Sequence, residues 1–202
     1  MIDIAVFVSG GGTNLQALID AEKNGVLKSG KIRLVVSSNV EAYALERADD
    51  AGIKTAVVPR KDYRDSEQYG NALLKVLKQN NIDIVVLAGF MSIFTGEILK
   101  VYSDKIINVH PSLIPSFCGK GYYGLKVHEA ALKYGVKVSG ATVHLVNEVV
   151  DGGRILKQKA VDILDGDTPE TLQKRIMETC EWIILPQAVE ELSFELEKEK
   201  NT

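Results

Sequence analysis

Residues 2–8, IDIAVFV, are a short run, apolar but for Asp3, with a glycine stop after it, which predicts a short buried β-strand. The period then changes. In TNLQALIDAEKNG (13–25), Leu15, Leu18 and Ile19 fall on one face of a helix, and a glycine stands near its end. This alternation repeats along the first half of the chain. IRLVVSS (32–38), TAVVP (55–59), IDIVVLAGF (82–90) and KIINVH (105–110) read as strands, with 82–90 the most apolar and therefore expected at the centre. Residues 41–52, 64–80 and about 95–102 read as helices, the second carrying Leu73, Leu74, Val76 and Leu77 on its inner side. Strands separated by helices imply a parallel sheet covered on both faces, because parallel neighbours need crossover connections.

Beyond residue 110 the pattern differs. Residues 111–127 are rich in Pro, Gly and Tyr and predict an ordered loop, followed by a short helix at 127–135 on which His128 reads as a surface residue. KVSGATVHLV (137–146) and GRILKQKAVDI (153–163) read as strands joined by the turn-like NEVVDGG. Thr168-Pro169 has the form of a helix start, with Thr as N-cap and Pro at the first helical position. The last helix is expected to break near Pro186, and the EKEKNT tail to fray. No repeat or linker interrupts the chain, so residues 1–202 are read as one domain. Its fold class is α/β, a Rossmann-like and mostly parallel sheet with helices on both faces, then antiparallel strands and a terminal helix.

Composition narrows the function classes. A formal net charge of −3 gives no reason to expect binding to nucleic acid or to an anionic membrane. The longest uncharged apolar run, 84–94, is too short to span a bilayer, and the N-terminus lacks the basic lead of a signal peptide. Cys118 and Cys180 stand far apart in no metal-binding spacing, so a reduced, cytoplasmic setting is expected.

Two clusters carry chemistry. SGGGTN (9–14) lies between the first strand and the first helix, where backbone N–H groups bind anions and glycines admit a phosphate closely. It lacks the Gly-Lys-Ser/Thr of a Walker A loop, and Leu15 replaces the third glycine of GxGxxG, so a monophosphate fits better than a dinucleotide. The same glycines would equally suit a tight turn that binds nothing. Asn108 and His110 end a strand two residues apart and therefore share a face. An amide can stabilise an oxyanion and an imidazole can move a proton near neutral pH. Asp151, ahead of two glycines, is the nearest candidate carboxylate. Ser112 lacks a nucleophile elbow and Cys118 has no evident base, so a substrate would supply the nucleophile, as in acyl transfer to an amine. Taken singly, a hydrogen-bonded structural His110, a loop-capping Asn108 and a turn-forming Asp151 remain open readings.

Together these segments resemble the phosphoribosylglycinamide formyltransferases, folate-dependent enzymes of purine synthesis. VFVSGGGTNLQALI (6–19), VVLAGFM (85–91), INVHPSLIPSF (107–117), SGATVHLVNEVVDGG (139–153) and ETCEWIILP (178–186) carry the resemblance, in the family's order and over nearly the whole chain. It implies that 10-formyltetrahydrofolate, the cosubstrate, gives its formyl group to the amine of glycinamide ribonucleotide, with no metal. The N-terminal half, about 1–100, would hold the nucleotide through Gly12, Thr13 and Asn14, joined by Glu181 and by Glu178, where relatives often carry an amide or a base. The C-terminal half, about 101–202, would supply the folate cleft and catalysis. The folate would lie against Met91, Ser92, Ile93, Phe94, Asn108, Asn147, Glu148, Val149 and Val150, with Arg64 or Arg60 at its tail. Asn108, His110 and Asp151 would be the catalytic trio, the first two donating to the oxyanion and Asp151 favouring the imidazolium. Partners would be small molecules only, with neither nucleic acid nor membrane, and the enzyme a monomer or homodimer. The chain departs from many relatives at Phe117-Cys118-Gly119, where they read Pro-Gly. Formyltetrahydrofolate hydrolases and methionyl-tRNA formyltransferases share this domain but carry an extra N-terminal domain and a C-terminal RNA-binding barrel respectively. A noncatalytic nucleotide-binding module is the alternative outside enzymes.

Overall fold

The structure, a computed structural model, describes residues 1–201. Seven strands form one sheet in the order β3-β2-β1-β4-β5-β6-β7. They are β1 (Ile2–Val8), β2 (Gly30–Ser37), β3 (Lys54–Val57), β4 (Ile84–Leu87), β5 (Ile106–His110), β6 (Val138–Leu145) and β7 (Ile155–Asp162). The first five are parallel, while β6 and β7 run antiparallel to their neighbours. The chain winds outward from β1 to β3, then returns to β4 on the other side of β1. That reversal opens a crevice at the carboxyl ends of β1 and β4, the usual ligand position in open α/β sheets.

Helices cover both faces: α1 (Thr13–Lys23), α2 (Ala44–Asp50), α3 (Ser66–Gln79), α4 (Glu97–Val101), α5 (Leu125–Tyr134), α6 (Pro169–Ile176) and α7 (Trp182–Lys200). Strand alternation divides β1 between two cores. Ile2, Ile4, Val6 and Val8 pack with residues of α1, α2, α6 and α7, whereas Ala5 and Phe7 pack with α3 and α4. Helix starts are capped as their residues dictate. The Asp65 carboxylate accepts from the Gln68 N–H at 2.8 Å, and Thr168 and Thr171 bond reciprocally ahead of Pro169.

Three expectations are corrected. Helix α7 runs through Pro186 without breaking. A proline there deprives only the Trp182 carbonyl of its partner, and Pro186 is buried in the core that holds the helix in place. The interruption falls upstream, in a wide π turn at Met177–Glu181. The tail is helical to Lys200, because the Met1 amine pairs with Glu197 at 2.5 Å and Lys200 with Asp83 at 2.6 Å. His128 is fully buried, since the inward face of α5 comprises Val127, His128 and Ala131.

Candidate active site

Four segments meet at the crevice: the glycine loop after β1, the segment after β4, the end of β5, and the 146–154 connection between β6 and β7. Asn108 and His110 lie on one side of β5, and the antiparallel register sets His144 directly opposite Asn108. The 146–154 connection doubles back over these strands and carries Asp151 to them. The Asp151 backbone adopts a left-handed conformation, φ 56°, and Gly153 packs so tightly that a Cβ there would overlap the Leu145 carbonyl. Gly153→Ala is therefore expected to cost on the order of 1–3 kcal/mol by urea unfolding and to displace Asp151. An unchanged midpoint together with unchanged activity would contradict this account of the loop.

Asp151 lies between two imidazoles, with Oδ2 3.6 Å from His110 Nδ1 and Oδ1 3.6 Å from His144 Nε2. The Gly119 N–H donates to Oδ2 at 2.8 Å. Burial pushes the carboxyl upward, but the His144 contact, the Gly119 N–H and the nearness of the two imidazoles outweigh it, and its pKa lies below the usual value. For His110 the balance runs the other way. Burial lowers its pKa and outweighs the raising effects of the Phe117 carbonyl and of Asp151. Asp151 thus favours the imidazolium as expected, but burial outweighs it and the His110 pKa lies below the ordinary imidazole value.

Tautomers follow from the partners. In a neutral His110, Nε2–H donates to the Phe117 carbonyl at 2.9 Å, leaving the Nδ1 lone pair facing Asp151. His144 Nδ1–H donates to the Leu145 carbonyl at 2.8 Å, so its Nε2 accepts from Asn108 Nδ2 at 3.1 Å. One hydrogen of the Asn108 amide is committed there, and the second has no acceptor among the described residues. His144 lies inside a predicted strand, where the sequence gives it no role; only the register against Asn108 reveals its place. Cys118 is not activated as a thiolate. Burial and then Asp151 raise its thiol pKa, and its Sγ–H donates to the Pro115 carbonyl at 3.3 Å.

At the other end of the crevice, Gly12 has φ 70° and precedes α1. Thr13 Oγ1 donates to Met177 Sδ at 3.3 Å, and Asn14 Nδ2 donates to Glu181 Oε2 at 2.6 Å. The π turn at Met177–Glu181 is what brings this acid against α1. Glu181 is buried, which raises its carboxyl pKa, and Asn14 Oδ1 is a buried acceptor without a partner. Glu178 is not brought to this cluster; it is exposed and lies 3.9 Å from Lys174.

The segment after β4 is mixed. The Met91 N–H donates to Ser9 Oγ at 3.0 Å, while Met91 and Ile93 expose their side chains. Ser92 is half-buried. Phe94 faces away, into an aromatic cluster with Phe7 and Phe90, so its ring belongs to the core. Asn147, Glu148, Val149 and Val150 are all exposed on the 146–154 connection, and Asn147 Oδ1 accepts from the Val149 N–H at 2.9 Å. Arg60 is held locally by the Tyr63 carbonyl at 2.8 Å and lies over the Tyr69 ring, whereas Arg64 is exposed.

The comparisons agree with this architecture. The formyl transferase family model matches residues 2–189. The human trifunctional purine biosynthetic protein adenosine-3 is 42% identical over 187 residues, which are 93% of this chain and 18% of that protein. The chloroplastic phosphoribosylglycinamide formyltransferase of Arabidopsis thaliana is 39% identical over 86% of this chain and 60% of its own length. This chain thus spans less than two thirds of both relatives. Among solved structures, glycinamide ribonucleotide transformylase 1 from Symbiobacterium toebii superposes with a TM-score of 0.90 at 39% identity, covering 96% of this chain and 89% of that one. Phosphoribosylglycinamide formyltransferase from Brucella melitensis gives 0.85 at 40% identity, covering 95% of both. With its mostly parallel seven-stranded sheet and antiparallel C-terminal strands, the chain belongs to the formyl transferase family.

Proposed function

We propose that this protein transfers the formyl group of 10-formyltetrahydrofolate to the amine of 5′-phosphoribosylglycinamide, giving the N-formyl product and tetrahydrofolate of purine synthesis. The observation that carries this reading is a carboxylate set between two imidazoles beside an amide donor, with no nucleophilic side chain among them. Such a site suits a reaction in which one substrate attacks another. The substrate amine adds to the formyl carbon, and the second Asn108 N–H stabilises the tetrahedral oxyanion. A proton leaving the amine is accepted by His110 Nδ1, and the resulting imidazolium gains the adjacent Asp151 charge. The proton then passes to the departing folate nitrogen. In this conformation the single N–H of neutral His110 is committed to Phe117, so His110 acts first as acceptor rather than as oxyanion donor.

The N-terminal half binds the nucleotide in this reading. The open helix start at Gly12 to Asn14 suits its phosphate. The unpartnered Asn14 Oδ1 and the buried Glu181 suit ribose hydroxyls. The C-terminal half contributes the trio, and the exposed Met91, Ile93, Val149 and Val150 suit a flat apolar ring such as the pterin. The test is a spectrophotometric assay of formyl-folate consumption with and without glycinamide ribonucleotide. Consumption that requires the amine supports transfer. Amine-independent consumption would assign the site to hydrolysis, and binding without turnover would make the chain a noncatalytic module.

A further inference from the structure

The glycine loop is held from behind. The Ala44 N–H, at the start of α2, donates to the Gly10 carbonyl at 3.1 Å. Arg47, one turn further along α2, donates from Nε to the Gly11 carbonyl at 2.8 Å and from Nη1 to Gln16 Oε1 at 3.0 Å. Its guanidinium lies 5.0 Å from the centre of the Tyr43 ring. Contact between loop and helix is close: a Cβ on Gly12 would come within 2.6 Å of the Ala44 Cβ.

Peptide geometry turns these contacts into an aim. Both glycine–glycine peptides are trans, so each N–H points opposite to the carbonyl of the preceding residue. A Gly10 carbonyl drawn toward α2 sends the Gly11 N–H the other way, and a Gly11 carbonyl drawn to Arg47 does the same to the Gly12 N–H. Neither N–H has an acceptor among the described residues, and no atom lies within 4 Å of where a Cβ of Gly10 or Gly11 would stand. Two donors without an acceptor among the described residues therefore point away from α2, beside the start of α1.

We propose that Arg47 is a positioning residue for the substrate phosphate, fixing the Gly11–Gly12 peptide so that its N–H meets the anion. This rests on the reading of the glycine loop as the phosphate site. Arg47 acts through the peptide it holds and needs no contact with the phosphate. The role requires the fixed fork of a guanidinium, because Nε and Nη1 serve two acceptors at once; a lysine keeps the charge and loses the fork.

The test is steady-state kinetics on wild type, Arg47→Ala and Arg47→Lys, with inorganic phosphate as a competitive inhibitor. Arg47→Ala is expected to raise KM for glycinamide ribonucleotide and Ki for phosphate together, roughly tenfold or more, the scale of a lost charge-assisted hydrogen bond. Its kcat and its KM for the formyl donor should stay within about twofold, since the lost interaction is one of ground-state binding. Arg47→Lys should resemble Arg47→Ala, and carries the test alone if the alanine variant fails to fold. Wild-type KM in Arg47→Lys would show that charge suffices and overturn the proposal. So would an unchanged KM in Arg47→Ala, or equal losses in kcat and in both KM values. If phosphate does not compete in the wild type, the phosphate reading itself fails and takes this inference with it. If phosphate competes equally in wild type and variants, only the inference fails.

Discussion

Asp151→Asn is expected to lower kcat roughly a thousandfold, within the range for lost proton transfer and lost charge stabilisation, while leaving KM for the nucleotide within a few-fold. Asparagine keeps the size of the side chain and can still accept from the Gly119 N–H. It removes the charge facing His110 Nδ1 and His144 Nε2. Burial already holds the His110 pKa down and Asp151 is one of the groups that raise it, so the variant ring becomes a still weaker base. A proton arriving from the amine then forms a buried cation with no counter-charge. The pH profile has a defined sign. Activity requires the neutral ring, and removing a raising influence moves its protonation to lower pH. The acidic limb of kcat should shift downward in the variant as its plateau collapses. A plateau within tenfold of wild type would exclude Asp151 from the chemistry.

Acid should destabilise the fold through His128. Its ring is fully buried with neither nitrogen hydrogen-bonded, and burial, aided by the positive character of His110, lowers its pKa from 6.5 to about 4. The unfolded chain binds a proton near pH 6.5 that the folded chain refuses until about pH 4. Stability is therefore complete above 6.5 and falls through that window, by about 3 kcal/mol in all at about 1.4 kcal/mol per unit. His110, also lowered, adds in the same direction. Urea midpoints at neutral pH and near pH 4.5 should diverge strongly in the wild type and less in His128→Phe. At neutral pH the phenylalanine variant should be no less stable, since the two buried ring nitrogens that it removes have no hydrogen bonds to lose. Identical pH dependence in both proteins would refute the assignment to His128.

What the sequence reveals depends on how local the cause is. Every strand appears in the sequence pattern, because a strand's burial is written in contiguous residues, most plainly in the buried parallel β1 and β4. Asn108 and His110 are legible for the same reason: two polar residues at strand spacing share a face. His144 is written in the register of two strands separated by 36 positions, which no window along the chain contains. His128 misleads because helix α5 is short and a histidine looks polar, while the face it belongs to is set by packing against α6. Pro186 misleads because a proline usually ends a helix, yet here a π turn upstream provides the break and the core holds the rest. Arg47 lies in an ordinary amphipathic helix, and only the fold brings it behind the glycine loop.

The two ion pairs at the end of α7 have a topological consequence. Met1 meets Glu197, and Lys200 meets Asp83 just before β4, so Met1 and Lys200 both lie at the amino edge of the parallel sheet. The crevice opens at the opposite edge. The backbone from Met1 to Lys200 is thus almost a closed ring, with its seam on the far side from the chemistry. A short linker across that seam would let the polypeptide begin at some other surface turn, a circular permutation in which every strand keeps its neighbours.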